Sequence, residues 1–271
     1  MNKKTGNLSQ RLYLLRLLVR RNIKNQYYRS VIGVLWTVLN PLLNMIVMAF
    51  VFSAIFGRNG SELDYPIFIL SGNIIFAVMR SSTSTSLTCL VGQRDMLQKT
   101  RVPIEIFPTS NVFSALVTFA FSFVALLIVA GFRALPIWNG TGASLFTFHW
   151  QIVLTVAILP ALILFSLGIS YFLSALYVFF RDIKHIYTVL LTLWNYLTPI
   201  FYTVSALKSE LVSKIMVFNP MYHYVEGFRA LLEGTIPSAM SWVAMYGFAA
   251  ISLVIGWLFL QALKNKIAAY L

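Results

Sequence analysis

Charged side chains are scarce in this 271-residue chain, where they make up 11% of the residues against 59% for hydrophobic ones. An ordinary soluble domain is about 25% charged, so this chain cannot cover its surface with polar groups in water. Acids are the scarcest, with 8 against 21 lysines and arginines, which gives a net charge of +13. A basic excess can indicate either nucleic-acid binding or the orientation of membrane spans, and the positions of the charges decide between the two.

Cysteine and the common catalytic motifs are also lacking. Cys89 is the only cysteine, so no internal disulfide can form and no cysteine cluster can bind a metal. There is no GxxxxGK[ST] phosphate-binding loop and no HExxH motif, and His149, His185 and His223 lie far apart. The eight acids are scattered, which is unfavourable for a metal-dependent enzyme. We therefore expect no cofactor in this chain and no enzymatic activity of its own.

Residues 1–30 predict an amphipathic basic helix that lies in the membrane interface. Apolar residues recur there at three- and four-residue spacing, with basic residues on the other side. The apolar set is Leu8, Leu12, Leu15, Val19 and Ile23, and the basic set includes Arg20, Arg21 and Lys24. A surface helix of a soluble domain is the alternative. No small-residue cleavage site follows, so the segment is expected to be retained rather than removed as a signal peptide.

Six apolar spans follow within residues 31–271, at about 31–56, 65–91, 106–132, 150–180, 186–204 and 239–263. The first contains no charged residue and is long enough to cross the roughly 30 Å hydrocarbon core as a helix. Six spans place both termini on one side, which then carries 15 of the 21 lysines and arginines. The positive-inside rule makes that side cytoplasmic and explains the basic composition without nucleic acid. The predicted fold is an all-α polytopic membrane protein.

Two connections between spans have unusual compositions. The inner loop at about 92–105 carries both charge signs, which suits docking of a soluble partner, although a merely solvated loop is an equal alternative. The outer segment at about 205–238 is apolar but interrupted by proline, which predicts re-entrant half-helices buried against protein. Glu226 and Arg229 lie three residues apart in it, and the simplest interpretation is a weak local ion pair.

Polar and aromatic residues inside the spans suggest a passage. Arg80 precedes a hydroxyl-rich run that ends at Thr88, and a charge at that depth costs at least about 2.5 kcal/mol unless it faces protein or water. Alternatively, the run packs helices and Arg80 extends to the inner interface. Aromatic rings of the fifth span offer flat faces and polar edges that suit sugars, although many rings form interfacial belts. They are Tyr187, Trp194, Tyr196, Phe201 and Tyr202.

Short motifs in a fixed order resemble the permease subunit of bacterial ATP-binding-cassette exporters of polysaccharides. That family includes the O-antigen, capsule and wall teichoic acid transporters, and the chain looks most similar to the teichoic acid branch. The resemblance covers nearly the whole chain, although each motif is weak alone. The motifs are Ser30 to Pro41 (SVIGVLWTVLNP), Ser71-Gly72, Arg101-Val-Pro103, Arg181-Asp182, and Asn219-Pro220 with Glu226 and Arg229.

The resemblance implies partners and site residues. It implies a homodimer of permeases in the bacterial plasma membrane, bound to two copies of a separate subunit that holds ATP and Mg²⁺. It places ATPase coupling at the interfacial helix, which also meets anionic lipids, and at the inner loop, and it makes Glu226 and Arg229 an outer gate. The coupling residues are Arg20, Arg21, Lys24, Arg94, Asp95, Lys99, Arg101 and Glu105.

The implied substrate is a lipid-linked glycopolymer on an undecaprenyl carrier, moved outward along the five aromatic rings and Arg80. Arg80 is a candidate contact for its phosphates. Two other functions remain open on the sequence: a polytopic lipid or glycan transferase, and an exporter of small lipids or drugs with the same topology.

Overall fold

The structure is a computed structural model and describes residues 8–26, 33–36, 39–40, 42–44, 46–47, 64–99, 102–135, 146–204 and 216–270. Helices joined by turns make up these residues, with no β-strand among them. Much of the predicted first span at 31–56, all of 205–215, and Arg101 lie outside the described residues.

Nine α-helices can be numbered along the described part of the chain. A short 3-10 turn, Trp150–Leu154, leads into the sixth. The first five are α1 (Leu8–Gln26), α2 (Tyr65–Leu87), α3 (Cys89–Gly92), α4 (Arg94–Lys99) and α5 (Ile106–Ala134). The last four are α6 (Thr155–Phe179), α7 (Ile183–Leu197), α8 (Pro220–Leu232) and α9 (Ala239–Tyr270).

Four segments are long and apolar enough to cross a membrane. They match the predicted second, third, fourth and sixth spans and confirm an all-helical, multi-pass membrane architecture. The total of six spans stays a prediction. The four segments are Tyr65–Leu87, Ile106–Ala134, Trp150–Phe179 and Ala239–Ile267.

The fifth predicted span, 186–204, differs from the helix that the structure contains. Helix α7 has 15 residues, which is about 22 Å and shorter than the bilayer core. It ends at Leu197 because Pro199 restricts Thr198 to an extended backbone, with φ −90° and ψ 132°. Residues 198–203 then continue without a regular helix.

Helix α2 is the most deeply buried of the four spans, and α9 is the least. The start of α2 is joined to the end of α5 through a bidentate ion pair, in which the Arg133 guanidinium donates to Asp64 at 2.5 and 2.7 Å. Asp64 also precedes the first turn of α2, where Pro66 lacks the amide that would be unpaired there. These contacts make α2 and α5 antiparallel neighbours at the centre of the fold.

Helices α6 and α9 approach closely because small residues line their contact. A Cβ built on Gly256 would overlap the carbonyl oxygen of Gly168, and one on Gly168 would overlap Ser252. Ser252 Oγ also donates a hydrogen bond to the Phe165 carbonyl oxygen at 2.9 Å. Ser252 and Gly256 are four residues apart, the spacing with which small residues pair membrane helices.

Helix α1 packs on the start of α5, but not through the whole apolar side that its sequence suggests. Leu18 is its buried residue, whereas Leu12 of the predicted apolar set is 57% exposed. Asn22 Nδ2 donates to Asn111 Oδ1 at 2.8 Å and to Ser110 Oγ at 3.3 Å. The prediction missed this contact because an amphipathic pattern identifies the apolar side and not the groups that dock on a neighbouring helix.

Replacing Gly256 with alanine should destabilise the protein, because the added methyl group would press on the Gly168 carbonyl. Overpacking costs about 1–3 kcal/mol, so we expect the melting temperature of the purified protein in detergent to fall by about 4 °C or more. Gly247→Ala is the matched control on the same helix, since no described atom lies within 4 Å of a Cβ there. Equal melting temperatures for the two variants would contradict the close α6–α9 contact.

Candidate functional site

Helices α2 and α7 meet through two polar contacts at the depth of the membrane. Tyr187 donates its hydroxyl hydrogen to Thr83 Oγ1 at 2.7 Å, and Arg80 Nη2 donates to Asn195 Oδ1 at 2.6 Å. Residue numbers rise along α7 as they fall along α2, so the two helices are antiparallel. Asn195 was not among the predicted site residues, and its only sequence signal is an amide within an apolar segment.

The hydroxyl-rich run after Arg80 is divided between two roles. Ser82 and Ser86 are buried, with Ser82 donating to the Met79 carbonyl and Ser86 to the Pro108 carbonyl of α5. Ser84 and Thr85 are exposed on the face that also carries Arg80. Helix packing and a polar exposed face are therefore both present in this run, on opposite sides of the helix.

The five predicted aromatic residues do not form one exposed surface. Tyr187 and Phe201 are buried inside the chain, and Trp194 and Tyr202 are half-buried. Tyr196 is 65% exposed, and its carbonyl oxygen accepts a hydrogen bond from the Tyr202 hydroxyl at 3.0 Å. In this arrangement three of the five, Trp194, Tyr196 and Tyr202, can contact a molecule outside the chain.

Asn219 joins the end of α7 to the start of α8. Its side-chain oxygen accepts from Trp194 Nε1 at 2.8 Å and from the Met221 amide at 3.1 Å. Its amide nitrogen donates to Thr198 Oγ1 at 3.2 Å and to the Leu197 carbonyl at 3.3 Å. As the N-cap residue of α8, with Pro220 next, it follows the usual pattern of helix starts.

Arg229 is 2% exposed and contacts three segments of the chain. Nη1 donates to the Pro199 carbonyl at 2.6 Å and to Glu226 Oε1 at 2.9 Å. Nη2 donates to the Ile200 carbonyl at 2.8 Å and to the Phe68 carbonyl at 3.0 Å. The guanidinium carbon also lies 3.5 Å from the centre of the Phe68 ring.

Glycine at position 72 makes room for this guanidinium. A Cβ built on Gly72 would lie 2.6 Å from Nη2 of Arg229. Glu226 is much more exposed than its ion-pair partner Arg229, since the Glu226 side chain is 38% exposed and that of Arg229 is 2% exposed. Arg229 thus forms more than the exposed local ion pair that the spacing suggested, while the role of the pair as an outer gate stays a prediction.

The predicted coupling residues lie at the opposite end of the helices. Arg94, Asp95 and Lys99 are exposed on α4, while Arg101 lies outside the described residues. On α1, Arg20 and Lys24 are exposed and Arg21 is half-buried. Their role in coupling stays a prediction.

Glu105 differs from the other predicted coupling residues because it is held from inside the chain. It accepts a hydrogen bond from Gln261 Nε2 at 2.5 Å and lies 3.7 Å from Lys264 Nζ, both on α9. Sequence reasoning missed these α9 residues because nothing in their pattern relates them to the inner loop.

No group of three or more His, Cys, Asp or Glu residues in the described part of the chain could hold a metal ion. Asp64, Glu105 and Glu226 are instead each within ion-pair distance of a basic residue. The described residues instead form helix-packing contacts, an exposed polar face beside Arg80, and a surface of mixed charge near α4.

Arg229→Lys should lower stability substantially, because one ammonium group cannot reach the acceptors that the guanidinium fork joins. A buried acceptor left unpaired costs about 1–3 kcal/mol, so the melting temperature in detergent should fall by several degrees. Glu226→Gln keeps the side-chain length and most contacts of Arg229, and should change the melting temperature little. If the two variants have the same melting temperature, the backbone contacts of Arg229 are unimportant.

Comparisons with known proteins agree on one kind of protein. The family model of the ABC-2 type transporter matches residues 13–232. The O-antigen export system permease protein RfbA of Myxococcus xanthus is 32% identical over 246 residues, which cover 90% of this chain and 88% of the relative. An RfbA of Klebsiella pneumoniae is 27% identical over 98% of this chain and 97% of its own length. The polysialic acid transport protein KpsM of Escherichia coli is 24% identical, with 88% and 89% covered. The chain therefore belongs to the ABC-2 type transporter family.

Proposed function

We propose that this chain is the permease subunit of an exporter that moves a lipid-linked polysaccharide out of the cytoplasm, driven by ATP hydrolysis in a separate subunit. The observation that carries the proposal is the similarity over almost the whole chain to permeases of O-antigen export. The multi-pass helical architecture supports it. In this proposal the protein lies in the bacterial plasma membrane with both termini in the cytoplasm, and the predicted first and fifth spans and the re-entrant outer segment complete the fold.

A separate ATPase agrees with the lack of a phosphate-binding loop in this sequence. Helix α4 offers a docking surface, since Arg94, Asp95 and Lys99 are exposed there with both signs of charge. Two ATPase copies, which would hold ATP and Mg²⁺, would bind two copies of this chain. The basic side of α1 would then have two uses, attraction to anionic lipids and contact with the ATPase.

The contacts within the chain suggest how movement at α4 reaches the spans. Glu105 lies between the inner loop and α9, where it contacts Gln261 and Lys264. At the other end of the molecule, Asn219 and Arg229 hold the end of α7 to α8. In the proposed mechanism α7 and α8 move as one body, so a displacement of α7 also moves the outer segment that contains Glu226.

The substrate that we favour is a polysaccharide rather than a teichoic acid. The relatives described above are proteins of O-antigen export and of polysialic acid transport. A transferase is less well supported, because the described acids do not gather into a site. An exporter of small lipids or drugs shares the architecture and differs in what is carried, so transport must distinguish it.

Export should require both this chain and its ATPase. Cells that express both should display the cognate polysaccharide on their surface, and cells that lack either one should accumulate the lipid-linked polymer inside. Surface polymer can be measured with a specific antibody or lectin on intact cells. Undiminished export without the ATPase would refute the proposal, and transport of small lipids without polymer would favour the other exporter.

Reversing the charge on α4 should weaken ATPase binding. Arg94→Glu and Lys99→Glu together should reduce the ATPase recovered with the tagged permease by at least about fivefold, because opposite charges become like charges at the interface. Lys266→Glu is the control, since it reverses an exposed charge on α9. Full retention of the ATPase by the double variant would mean that α4 is only a connection between spans.

A further inference from the structure

We propose that Arg80 and the polar side chains beside it form a binding site for the phosphate or pyrophosphate group of the lipid-linked substrate. The inference rests on the proposed function and identifies which part of the substrate this site holds. The site is a polar strip on two helices, formed by the exposed residues Arg80, Ser84, Thr188 and Thr192 and by the half-buried Asn195.

Arg80 lies within the span formed by α2 rather than at its end. It is about 22 Å along the helix from Tyr65 and about 10 Å from Leu87. Its side chain extends over the Phe76 ring, 5.0 Å from the ring centre and one turn toward the start of α2. It therefore points away from the nearer end of its helix, which is opposite to the direction that an anchor at the inner interface would take.

The positive charge of Arg80 has no counter-charge among the described residues. Its one hydrogen bond is donated by Nη2 to the neutral Asn195 amide, so Nε and Nη1 remain available. No described acid lies within the four apolar spans or α7. A second copy of the chain therefore offers no carboxylate from those helices at this depth, and an unpaired cation there is costly.

Hydroxyl groups extend the site along both helices. Ser84 is one turn from Arg80 on the exposed face of α2, and its hydroxyl makes no hydrogen bond to the described residues. Thr188, Thr192 and Asn195 stand four and three residues apart on α7, which places them on one face. The Tyr187–Thr83 hydrogen bond holds the neighbouring residues, Thr188 and Ser84, beside the same junction of the helices.

A phosphate group matches this chemistry better than a neutral sugar. A guanidinium with two free donor positions binds phosphate oxygens in its fork geometry, and the Ser84 hydroxyl can donate to a remaining oxygen. The hydroxyls of Thr188 and Thr192 already donate to the carbonyl oxygens of Lys184 and Thr188, so these two residues make the strip polar without adding donors. A neutral sugar would satisfy the hydroxyls and leave the charge uncompensated. The group that links a glycan to a polyprenyl lipid carries the required negative charge, and it must cross the membrane with the polymer.

The test measures binding to the intact complex of permease and ATPase in lipid nanodiscs. The probes are a polyprenyl pyrophosphate, the polyprenol of the same chain length, and inorganic pyrophosphate. We expect the lipid pyrophosphate to bind at least about tenfold more tightly than the polyprenol, because the charge-assisted hydrogen bonds are lost with the phosphate. Equal affinity for the two lipids would overturn the inference. Competition by inorganic pyrophosphate at equal concentration would overturn the assignment to a lipid-linked group.

Two pairs of variants separate a binding role from a structural one. Arg80→Gln should reduce the affinity for the lipid pyrophosphate to that for the polyprenol, whereas Arg181→Gln, at an exposed arginine before α7, should leave it unchanged. Asn195→Asp should also abolish the preference, because the new carboxylate would neutralise Arg80 while holding it in place. Asn195→Ala removes one polar group of the site but leaves the charge free, so it should retain a preference for the lipid pyrophosphate that Asn195→Asp loses.

The binding test can be decided even if the Arg80→Gln variant does not fold, because Asn195→Asp retains the arginine. Unchanged binding by Asn195→Asp, or equal losses in both Asn195 variants, would show that the charge of Arg80 does not hold the ligand. In that case export by the wild-type complex would still support the proposed function. If the wild-type complex did not export polymer, the proposed function would be refuted, whatever the result of the binding measurements.

Discussion

The buried guanidinium of Arg229 is the interaction on which one end of the molecule depends. Pro199 ends α7 early, and the backbone that follows has no helical partners for its carbonyl groups. Irregular backbone at the level of a membrane must find hydrogen bonds within the protein. Arg229 supplies them to Pro199 and Ile200, and it joins the same segment to the start of α2 through Phe68. The buried charge is tolerated because Nη1 and Nη2 are used in this way, while Nε is buried without a hydrogen-bond partner among the described residues.

The other end of the molecule is held by weaker and more numerous contacts. Asn22 joins α1 to α5, and Glu105 joins the inner loop to α9. Between the two ends, α6 and α9 pack so closely that a Cβ on Gly168 or Gly256 would overlap atoms of the other helix. Helix α7 is the exception, because Tyr187 and Leu191 are its only buried residues. A short helix with so little buried surface, fixed to α8 at one end, is the element best placed to move against the rest.

The sequence predicts the helices well where composition alone determines them. Apolar runs with at most one charged residue located the spans that became α2, α5, α6 and α9, because a membrane helix is set by length and hydropathy. The prediction was poorer for α7, since aromatic and apolar residues continue past Pro199 and conceal the end of the helix. Proline at 199 was visible and ends the helix at Leu197, but the contacts of the backbone after it, to Arg229, depend on long-range packing.

The candidate site was predictable only in part, for a similar reason. A lone arginine in an apolar span is conspicuous, and so is a cluster of rings. Their orientation is not, because it depends on how α2 and α7 pack. Tyr187 and Phe201 were expected to line a passage and are buried in the chain, while Asn195, an unremarkable amide in the sequence, contacts Arg80. The position of Glu105 against α9 depends equally on long-range packing.

Arg80 and Arg229 show what distinguishes a structural arginine from a binding one in the same chain. Both lie among apolar helices, and each has a phenylalanine ring beside it. Arg229 is enclosed and donates to three carbonyl groups and a carboxylate, so the fold itself satisfies its charge. Arg80 is exposed and donates to one neutral amide. Because a charge at that depth is costly without a partner, the missing partner of Arg80 must come from outside the described chain, and an anionic group of the substrate can fulfil that role.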